Sequence, residues 1–314
     1  MRALFCLLLL LLSPLVDAAT GRVFVSNEQD DSVSVIDSAT NEVIKTIPVG
    51  KRPRGVGIAP DGSAVYVAVS GDNVIAVIDP HTLEVVRTFP SGDDPEAFAV
   101  HPNGNIYISN EEDAKASVLN PATGELVAEI EVGIEPEGVA ISPDGSRVIV
   151  TSESTNMLHI IGVPEHEIVA NIVVGARPRA ATFSADGSTA YATSEISGEV
   201  KKIDVASGKI LGRMPLADDK AKPKDVLVSR DGRQLYVAGG RANRIFVLDA
   251  NSLEIIKAIP VGKRVWGLAL SRDGKRLYTT DGVDHQVSVI DTGALDVVAT
   301  VPVGKFPWGV AIDD

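Results

Sequence analysis

The sequence predicts an all-β, seven-bladed β-propeller with four antiparallel strands in each blade. A short turn, in which apolar residues lead into a glycine, recurs along the chain. Its seven copies, the fifth degenerate, end at Gly50, Gly92, Gly133, Gly175, Ala217, Gly262 and Gly304. The spacings of 42, 41, 42, 42, 45 and 42 residues are typical of propeller blades. The strand pattern within one repeat and the pattern at the two chain ends support this prediction.

The second repeat shows the four strands of a blade. A short apolar strand is predicted over 55–59, a turn follows at 60–62, and a second strand is predicted over 65–69. The third and fourth strands are predicted over 74–78 and 85–89. Val, Ile and Tyr dominate these segments, Gly, Pro, Asp and Asn dominate the gaps, and no segment keeps a helical period. Four antiparallel strands in each repeat are typical of a propeller.

The chain ends predict how the ring closes. The segment that begins at Val23 has the pattern of a second strand, whereas 309–312 has the pattern of a first strand. We therefore expect the first blade to be shared between the N- and C-termini. A ring closed in this way hides the edge strands that would otherwise be open to other chains.

Residues 1–18 have the pattern of a secretory signal peptide. Arg2 precedes an apolar run over 3–12, and a Ser-Pro pair and small residues lead to Ala18. The run is shorter than the ~20 apolar residues of a membrane-spanning helix. Its Cys6 is the only cysteine in the sequence. We expect export with cleavage after Ala18, no membrane span, and one propeller domain over 19–314.

Composition argues against several classes of partner and cofactor. The sequence has 42 acidic and 29 basic residues, a net charge of -13, whereas nucleic acids and anionic lipids favour basic surfaces. We expect no nucleic-acid partner. The five histidines show no paired ligand spacing, and neither a haem-attachment motif nor a glycine-rich nucleotide loop is present. The sequence therefore predicts no metal site and no resident cofactor.

Two sets of repeat positions are expected to surround the same end of the central channel. The first strand of each blade runs away from the face that carries its entering loop, and the second strand returns to that face. The residue after the recurrent proline gives a first ring of Trp308, Arg54, Glu96, Glu137, Arg179, Lys224 and Trp266. The end of the second strand gives a second ring of Glu28, Ser70, Glu111, Glu153, Glu195, Gly240 and Gly282.

These ring positions vary in charge and size, so the end of the channel is expected to be chemically asymmetric. Trp266 and Trp308 fall on adjacent blades beside small glycines, and carboxylates fall on the other side. The candidate ligand-binding residues are Arg54, Arg179, Arg264, Trp266, Trp308, Glu96, Glu111, Glu137, Glu153 and Glu195. No catalytic residue is nominated, because catalytic triads are recognised by geometry.

The same residues also have a structural interpretation. Charges beside a channel would pair across neighbouring blades, because buried charges need partners. The tryptophans would fill the channel. Gly239, Gly240 and Gly282 would serve as turn residues.

The repeats resemble the YVTN β-propeller repeat, with its Pro-x-Gly-Val-Ala-x-Ser-Pro-Asp-Gly pattern at 136–145 and Val-Ser-Val-Ile-Asp at 33–37 and 287–291. Five further stretches occur in one blade each, at 92–96, 151–157, 177–179, 264–266 and 307–310. With the signal peptide and the seven-unit length, they resemble the PQQ-dependent catabolism-associated β-propeller proteins, where PQQ is pyrroloquinoline quinone. This resemblance covers essentially the whole mature chain. It departs at the junction of blades 5 and 6, where 217–222 is charged.

The resemblance implies a bacterial periplasmic protein encoded with PQQ-dependent alcohol oxidation and transport. The expected partner is then a small molecule or a periplasmic protein of a PQQ-dependent dehydrogenase or ABC transport system. Our leading hypothesis is a non-enzymatic propeller that binds a small anionic or aromatic ligand, or a protein, at the ringed face. PQQ itself is planar and tricarboxylic. The alternatives are a lactonase-like hydrolase or quinoprotein subunit with Glu111 or Glu153 as general base, and a protein-only scaffold.

Overall fold

A computed structural model describes residues 19–314, and the signal peptide predicted over 1–18 lies outside these described residues. Seven four-stranded antiparallel sheets follow one another around the ring. Blade 1 contains β28 (Pro307–Asp313), β1 (Arg22–Asn27), β2 (Ser32–Asp37) and β3 (Glu42–Pro48). Blade 2 contains β4 (Pro53–Ile58), β5 (Val65–Val69), β6 (Val74–Asp79) and β7 (Glu84–Pro90), with a 3₁₀ turn at Ser70–Asp72. Blade 3 contains β8 (Pro95–Val100), β9 (Ile106–Asn110), β10 (Lys115–Asn120) and β11 (Glu125–Glu131).

The remaining four blades repeat this order of strands. Blade 4 contains β12 (Pro136–Ile141), β13 (Arg147–Ser152), β14 (Met157–Gly162) and β15 (Glu167–Val173). Blade 5 contains β16 (Pro178–Phe183), β17 (Thr189–Ser194), β18 (Glu199–Asp204) and β19 (Ile210–Pro215). Blade 6 contains β20 (Val226–Val228), β21 (Gln234–Ala238), β22 (Arg244–Asp249) and β23 (Ile255–Pro260). Blade 7 contains β24 (Val265–Leu270), β25 (Arg276–Asp281), β26 (Gln286–Asp291) and β27 (Asp296–Pro302).

The predicted closure of the ring is confirmed. β28 pairs antiparallel with β1, and Val25 lies opposite Val310 in this register. Blade 1 therefore takes its first strand from the C-terminal end and its other three strands from the N-terminal end. No helix among residues 19–314 is long and apolar enough to cross a membrane.

The hydrophobic core lies between neighbouring blades. Val33 and Val35 of blade 1 belong to one buried cluster with Val67 and Val69 of blade 2, and all four are fully buried. Burial of one such side chain contributes about 1.5–3 kcal/mol. Because each interface between blades has a cluster of this kind, the ring holds its inner strands at fixed positions.

A hydroxyl group on the second strand connects many adjacent blades at the channel. Thr151 accepts a hydrogen bond from the Gly138 amide in its own blade (2.9 Å) and donates one to the Arg179 carbonyl of the next blade (3.2 Å). The same arrangement recurs at Ser26, Ser109, Thr193 and Thr280. These bonds fix the backbone of five first-ring residues.

Candidate functional site

Six residues that follow the recurrent proline, and Trp266, which follows Val265 at the same repeat position, meet at one end of the channel, as predicted. We call this set the collar, and it consists of Trp308, Arg54, Glu96, Glu137, Arg179, Lys224 and Trp266. The ring centroids of Trp266 and Trp308 lie 6.0 Å apart with 28° between their planes. The guanidinium of Arg54 lies 5.6 Å from the Trp308 centroid and also contacts Glu96. The prediction that these residues share one end of the channel is therefore confirmed.

The carboxylates of the collar face form ion pairs across neighbouring blades. Glu137 lies 2.7 Å from Arg179, and Glu195 lies 2.6 Å from Lys224. Glu96 contacts Arg54 and is fully buried. We call Glu96, Glu137, Glu153 and Glu195 with their cationic partners the ion-paired sector. For this sector, the structural interpretation agrees with the geometry, because buried charges are tolerated when they are paired.

Glu153 accepts contacts from two arginines, Arg177 and Arg179, and its side chain is buried. Such a carboxylate has both of its oxygens next to positive charge. It therefore differs from Glu111, which forms no ion pair within 19–314 and lies next to Glu96. Burial and the charge of Glu137 raise the pKa of Glu96 well above its usual range, and burial raises the pKa of Glu111.

Carboxylate oxygens of Asp94, Glu96 and Glu111 lie within 4.8 Å of one another. That spacing suits a metal ion, but two arginines, Arg52 and Arg54, already pair with two of the three carboxylates. Arg52 lies 2.9 Å from Asp94 and 3.4 Å from Glu96. Ion pairs therefore account for Asp94 and Glu96, whereas Glu111 has none among the described residues.

The aromatic side of the collar has a different electrostatic character. Three cationic groups surround the indole ring of Trp266: the Lys224 ammonium at 4.1 Å and the Arg179 and Arg264 guanidiniums at 5.1 Å. Lys224 and Arg179 have carboxylate partners, whereas Arg264 has none among the described residues. The buried indole N–H of Trp308 also has no hydrogen-bond partner there. We call Trp266, Trp308 and Arg264 the aromatic sector.

Arg264 belongs to a third set of positions that the sequence reasoning did not recognise as a ring. Two residues before the collar position, the loop entering most blades adopts a left-handed backbone, at Arg52, Asp94, Glu135, Arg177, Arg264 and Phe306. The repeat alignment could have shown this set, because each of these residues directly precedes the first residue of the strand that carries the collar residue. Of the three arginines at this position, Arg52 and Arg177 have carboxylate partners, and Arg264 has none among the described residues.

The glycines beside the tryptophans differ in role. A side chain at Gly282 would come within 3.2 Å of the Trp266 ring, so this glycine leaves room beside the indole. At Gly240, where φ is +59°, a side chain would collide with the Lys222 carbonyl. Gly240 is therefore a turn residue, in agreement with the structural interpretation.

Below the collar, the first strands surround a cavity of about 400 Å³. The apolar part of its wall includes Val56, Phe98, Val139, Phe183 and Leu268. Glu137, Arg179, Lys224, Trp266 and Trp308 line the same cavity. The collar thus lies at the mouth of a cavity that has both polar and apolar walls.

Asp225 lies in this cavity, and the sequence reasoning missed it. The equivalent position in the other six blades is small, at Gly55, Ala97, Gly138, Ala180, Gly267 and Gly309. The carboxylate of Asp225 accepts hydrogen bonds from the amides of Val226 (2.8 Å) and Leu268 (2.9 Å). Burial raises its pKa to about 6. Blade 6 has Ala238, and blade 2 has Ala68, where the other five blades have the bridging hydroxyl. In blade 6, the hydrogen bond from the Leu268 amide to Asp225 supplies the connection to blade 7.

Lys224 precedes Asp225 and also has a shifted pKa. Burial and the nearby Arg179 lower its pKa to about 7, which outweighs the opposite effect of Glu195. Its side chain is 7% exposed and lines the cavity. The collar therefore contains one amine that loses its proton near neutral pH.

Comparison with known proteins gives two family matches. The model described as choice-of-anchor I domain matches residues 73–289, more than half of the chain. The chain belongs to the choice-of-anchor I domain family. The match runs from the third strand of blade 2 to the third strand of blade 7, so it includes most of the collar residues. A YNCE-like beta-propeller model matches residues 7–111.

Solved structures support the propeller fold of this choice-of-anchor I chain. Kuenenia stuttgartiensis hydrazine synthase is similar over 88% of this chain and 93% of that chain, with 22% identity and a TM-score of 0.80. A functionally unknown protein from Desulfotomaculum acetoxidans is similar over 93% and 99%, with 17% identity and a TM-score of 0.81. At these identities the likeness shows the fold alone. No curated protein matches the sequence. None of these descriptions mentions PQQ, so the expected link to PQQ-dependent catabolism stays a prediction.

Proposed function

We propose that this propeller is a binding protein that holds a small, planar anionic ligand at the aromatic sector. The observation that carries the proposal is Arg264, whose guanidinium lies over Trp266 without a carboxylate partner among the described residues. Arg52 and Arg177, at the same repeat position, are both ion-paired. An anion would give Arg264 the charge-assisted hydrogen bonds that it lacks.

The two tryptophans and the cavity determine the shape of the proposed ligand. Trp266 and Trp308 offer aromatic faces on which a planar ring can stack. The Trp308 indole N–H is a buried donor without a partner, and leaving such a group unsatisfied costs about 1–3 kcal/mol. An acceptor atom on the ligand would satisfy it. The ligand is therefore planar, anionic and equipped with hydrogen-bond acceptors.

PQQ fits these requirements, and the family resemblance independently suggests it. Its fused rings would stack on the tryptophans, and its carboxylates would lie near Arg264, with Arg179 and Lys224 adjacent. In this proposal PQQ is a bound ligand, and the propeller needs no redox chemistry of its own. The periplasmic location, and a partner in a PQQ-dependent dehydrogenase or ABC transport system, form part of the same proposal.

Thermal denaturation with three compounds tests the proposal. PQQ and benzene-1,3,5-tricarboxylate should raise the melting temperature, whereas neutral indole should not, because binding to the folded state stabilises it. Arg264→Gln should weaken the effect of both anions. Arg272→Gln, an equal charge change at an exposed residue, serves as the matched control. If neither anion changes the melting temperature, or if both arginine variants respond alike, the proposed site is wrong.

One observation favours a second candidate function, a hydrolase. Glu111 is a half-buried carboxyl without an ion pair among the described residues, and burial raises its pKa, as general-base catalysis favours. Glu153, the other candidate base, is occupied by two arginines. Turnover of model lactones that is lost in Glu111→Gln and retained in Glu153→Gln would support this function. A chain that hydrolyses none of them would exclude lactonase activity.

A further inference from the structure

Lys224 is the only lysine that lines the cavity within the described part of the chain. Its amine lies 4.1 Å from the Trp266 ring centroid and 2.6 Å from a Glu195 oxygen. The other cations of the collar, Arg54 and Arg179, are arginines and cannot act as amine nucleophiles. Lysines that are desolvated beside another cation are the kind that attack carbonyl groups in enzymes.

We propose that Lys224 captures the carbonyl group of a conjugated anionic aldehyde or quinone as an imine at the mouth of the cavity. This inference rests on the proposed function, because the aromatic sector would hold the same ligand's ring. It adds a chemical class, namely planar anions that carry a reactive carbonyl. It also assigns a covalent role to a residue that ion pairing alone would explain as structural.

The surroundings of Lys224 supply the groups that imine formation needs. Glu195 takes a proton from the ammonium, and the freed nitrogen lone pair attacks the carbonyl carbon. The carbonyl electron pair moves to oxygen, and that oxygen takes one proton from the attacking nitrogen to become a hydroxyl group. Glu195 then donates its proton to that hydroxyl, which leaves as water while the C=N bond forms. The products are a protonated imine and one water molecule, Glu195 is again a carboxylate, and no oxidant or reductant is required.

Burial favours this reaction at Lys224 over other lysines near the same face. Its lowered pKa leaves a substantial fraction of the amine neutral near pH 7. Lys263 and Lys305 lie on the loops of this face but are 66% and 65% exposed, and each pairs with an aspartate. They lack the aromatic neighbour and the cavity, so they provide internal controls.

Reductive trapping tests the inference directly. The full mature chain is incubated with pyridoxal 5′-phosphate, a planar anionic aldehyde, and cyanoborohydride, and the adducts are mapped by peptide mass spectrometry. Labelling at Lys224 should exceed labelling at Lys263 by about tenfold or more. The adduct at this site should vanish in Lys224→Arg, which keeps the positive charge. Glu195→Gln should slow its formation.

Mapping on the unaltered chain keeps the test valid even where a variant fails to fold. Adducts spread over the exposed lysines, with none enriched at Lys224, would overturn the inference. Pyridoxine 5′-phosphate, which lacks the aldehyde, separates the two proposals. If it binds and pyridoxal 5′-phosphate leaves no Lys224 adduct, the binding proposal stands and covalent capture is wrong. If neither compound binds, both proposals fail.

Discussion

The ion-paired sector and the aromatic sector, which lie at the same end of the channel, use the repeat positions in different ways. In the ion-paired sector, Glu137 and Arg179 face each other at 2.7 Å and both are buried. In the aromatic sector, Arg264 has no carboxylate partner and the Trp308 indole N–H has no acceptor among the described residues. A ring position that satisfies its neighbour contributes to the scaffold, whereas an unsatisfied one is available to a ligand. The binding proposal follows from this difference.

The largest expected effect is on stability, and it should differ between a variant of the ion-paired sector and a variant of the aromatic sector. Arg179→Leu removes the cation that contacts Glu137, Glu153 and Glu195, so it should destabilise the fold by about 3–5 kcal/mol. Arg264→Leu should cost about 1 kcal/mol or less, because it breaks no ion pair. Urea denaturation of both variants measures the difference. Equal losses would show that Arg264 is as structural as Arg179.

A second test concerns Asp225, a half-buried carboxyl that lines the cavity beside the aromatic sector. Because burial raises its pKa to about 6 in the folded state, the folded chain binds more protons than the unfolded chain between about pH 4 and 6. Its contribution to stability is therefore lost as the pH rises through that window. The free energy of unfolding of Asp225→Asn, relative to that of wild type, should rise by about 2–3 kcal/mol between pH 4 and 7. Denaturation at several pH values measures the trend, and a constant difference would contradict it.

A smaller effect is expected on ligand affinity. Arg264→Gln should weaken the binding of benzene-1,3,5-tricarboxylate by roughly ten- to 150-fold, because a charge-assisted hydrogen bond contributes about 1.5–3 kcal/mol. Glu131→Gln, at an exposed carboxylate on β11, should leave the affinity unchanged. Isothermal titration calorimetry measures both. An Arg264→Gln variant that binds like wild type would remove this arginine from the site.

The smallest expected effect concerns one hydrogen bond. Trp308→Phe keeps an aromatic ring but removes the unpartnered N–H, so affinity should fall by about 0.5–1.5 kcal/mol. Calorimetry at constant pH compares the affinity of Trp308→Phe with that of wild type. Thermal denaturation first checks that the variant is folded. Unchanged affinity would mean that the indole N–H does not contact the ligand.

The sequence was sufficient for the fold because a propeller repeats its local pattern. The spacing of the glycine turns predicted seven blades, and the incomplete repeats at Val23 and 309–312 predicted the closure. The strand bounds were less accurate: β4 begins at Pro53, two residues before the predicted start. β20 is shortened to Val226–Val228.

The membership of the collar was predictable, but its pairing was not. The repeat alignment placed Trp266, Arg179 and Glu137 on one face. Which charge meets which depends on side-chain geometry across blades, so the unpaired state of Arg264 required coordinates. Asp225 was predictable from the sequence, because it interrupts a position that is glycine or alanine in every other blade. An alignment based on the residues that the repeats share does not draw attention to a position at which one repeat differs.

Intrinsic fluorescence tests the central claim most directly, because Trp266 and Trp308 are the only tryptophans in the sequence and both belong to the aromatic sector. PQQ is titrated against the protein and against free N-acetyltryptophanamide, which corrects for absorption by the ligand. We predict quenching that saturates at one ligand per chain and that weakens in Arg264→Gln but not in Arg272→Gln. Quenching that rises linearly, as it does for the free indole, would contradict a binding site at the tryptophan pair.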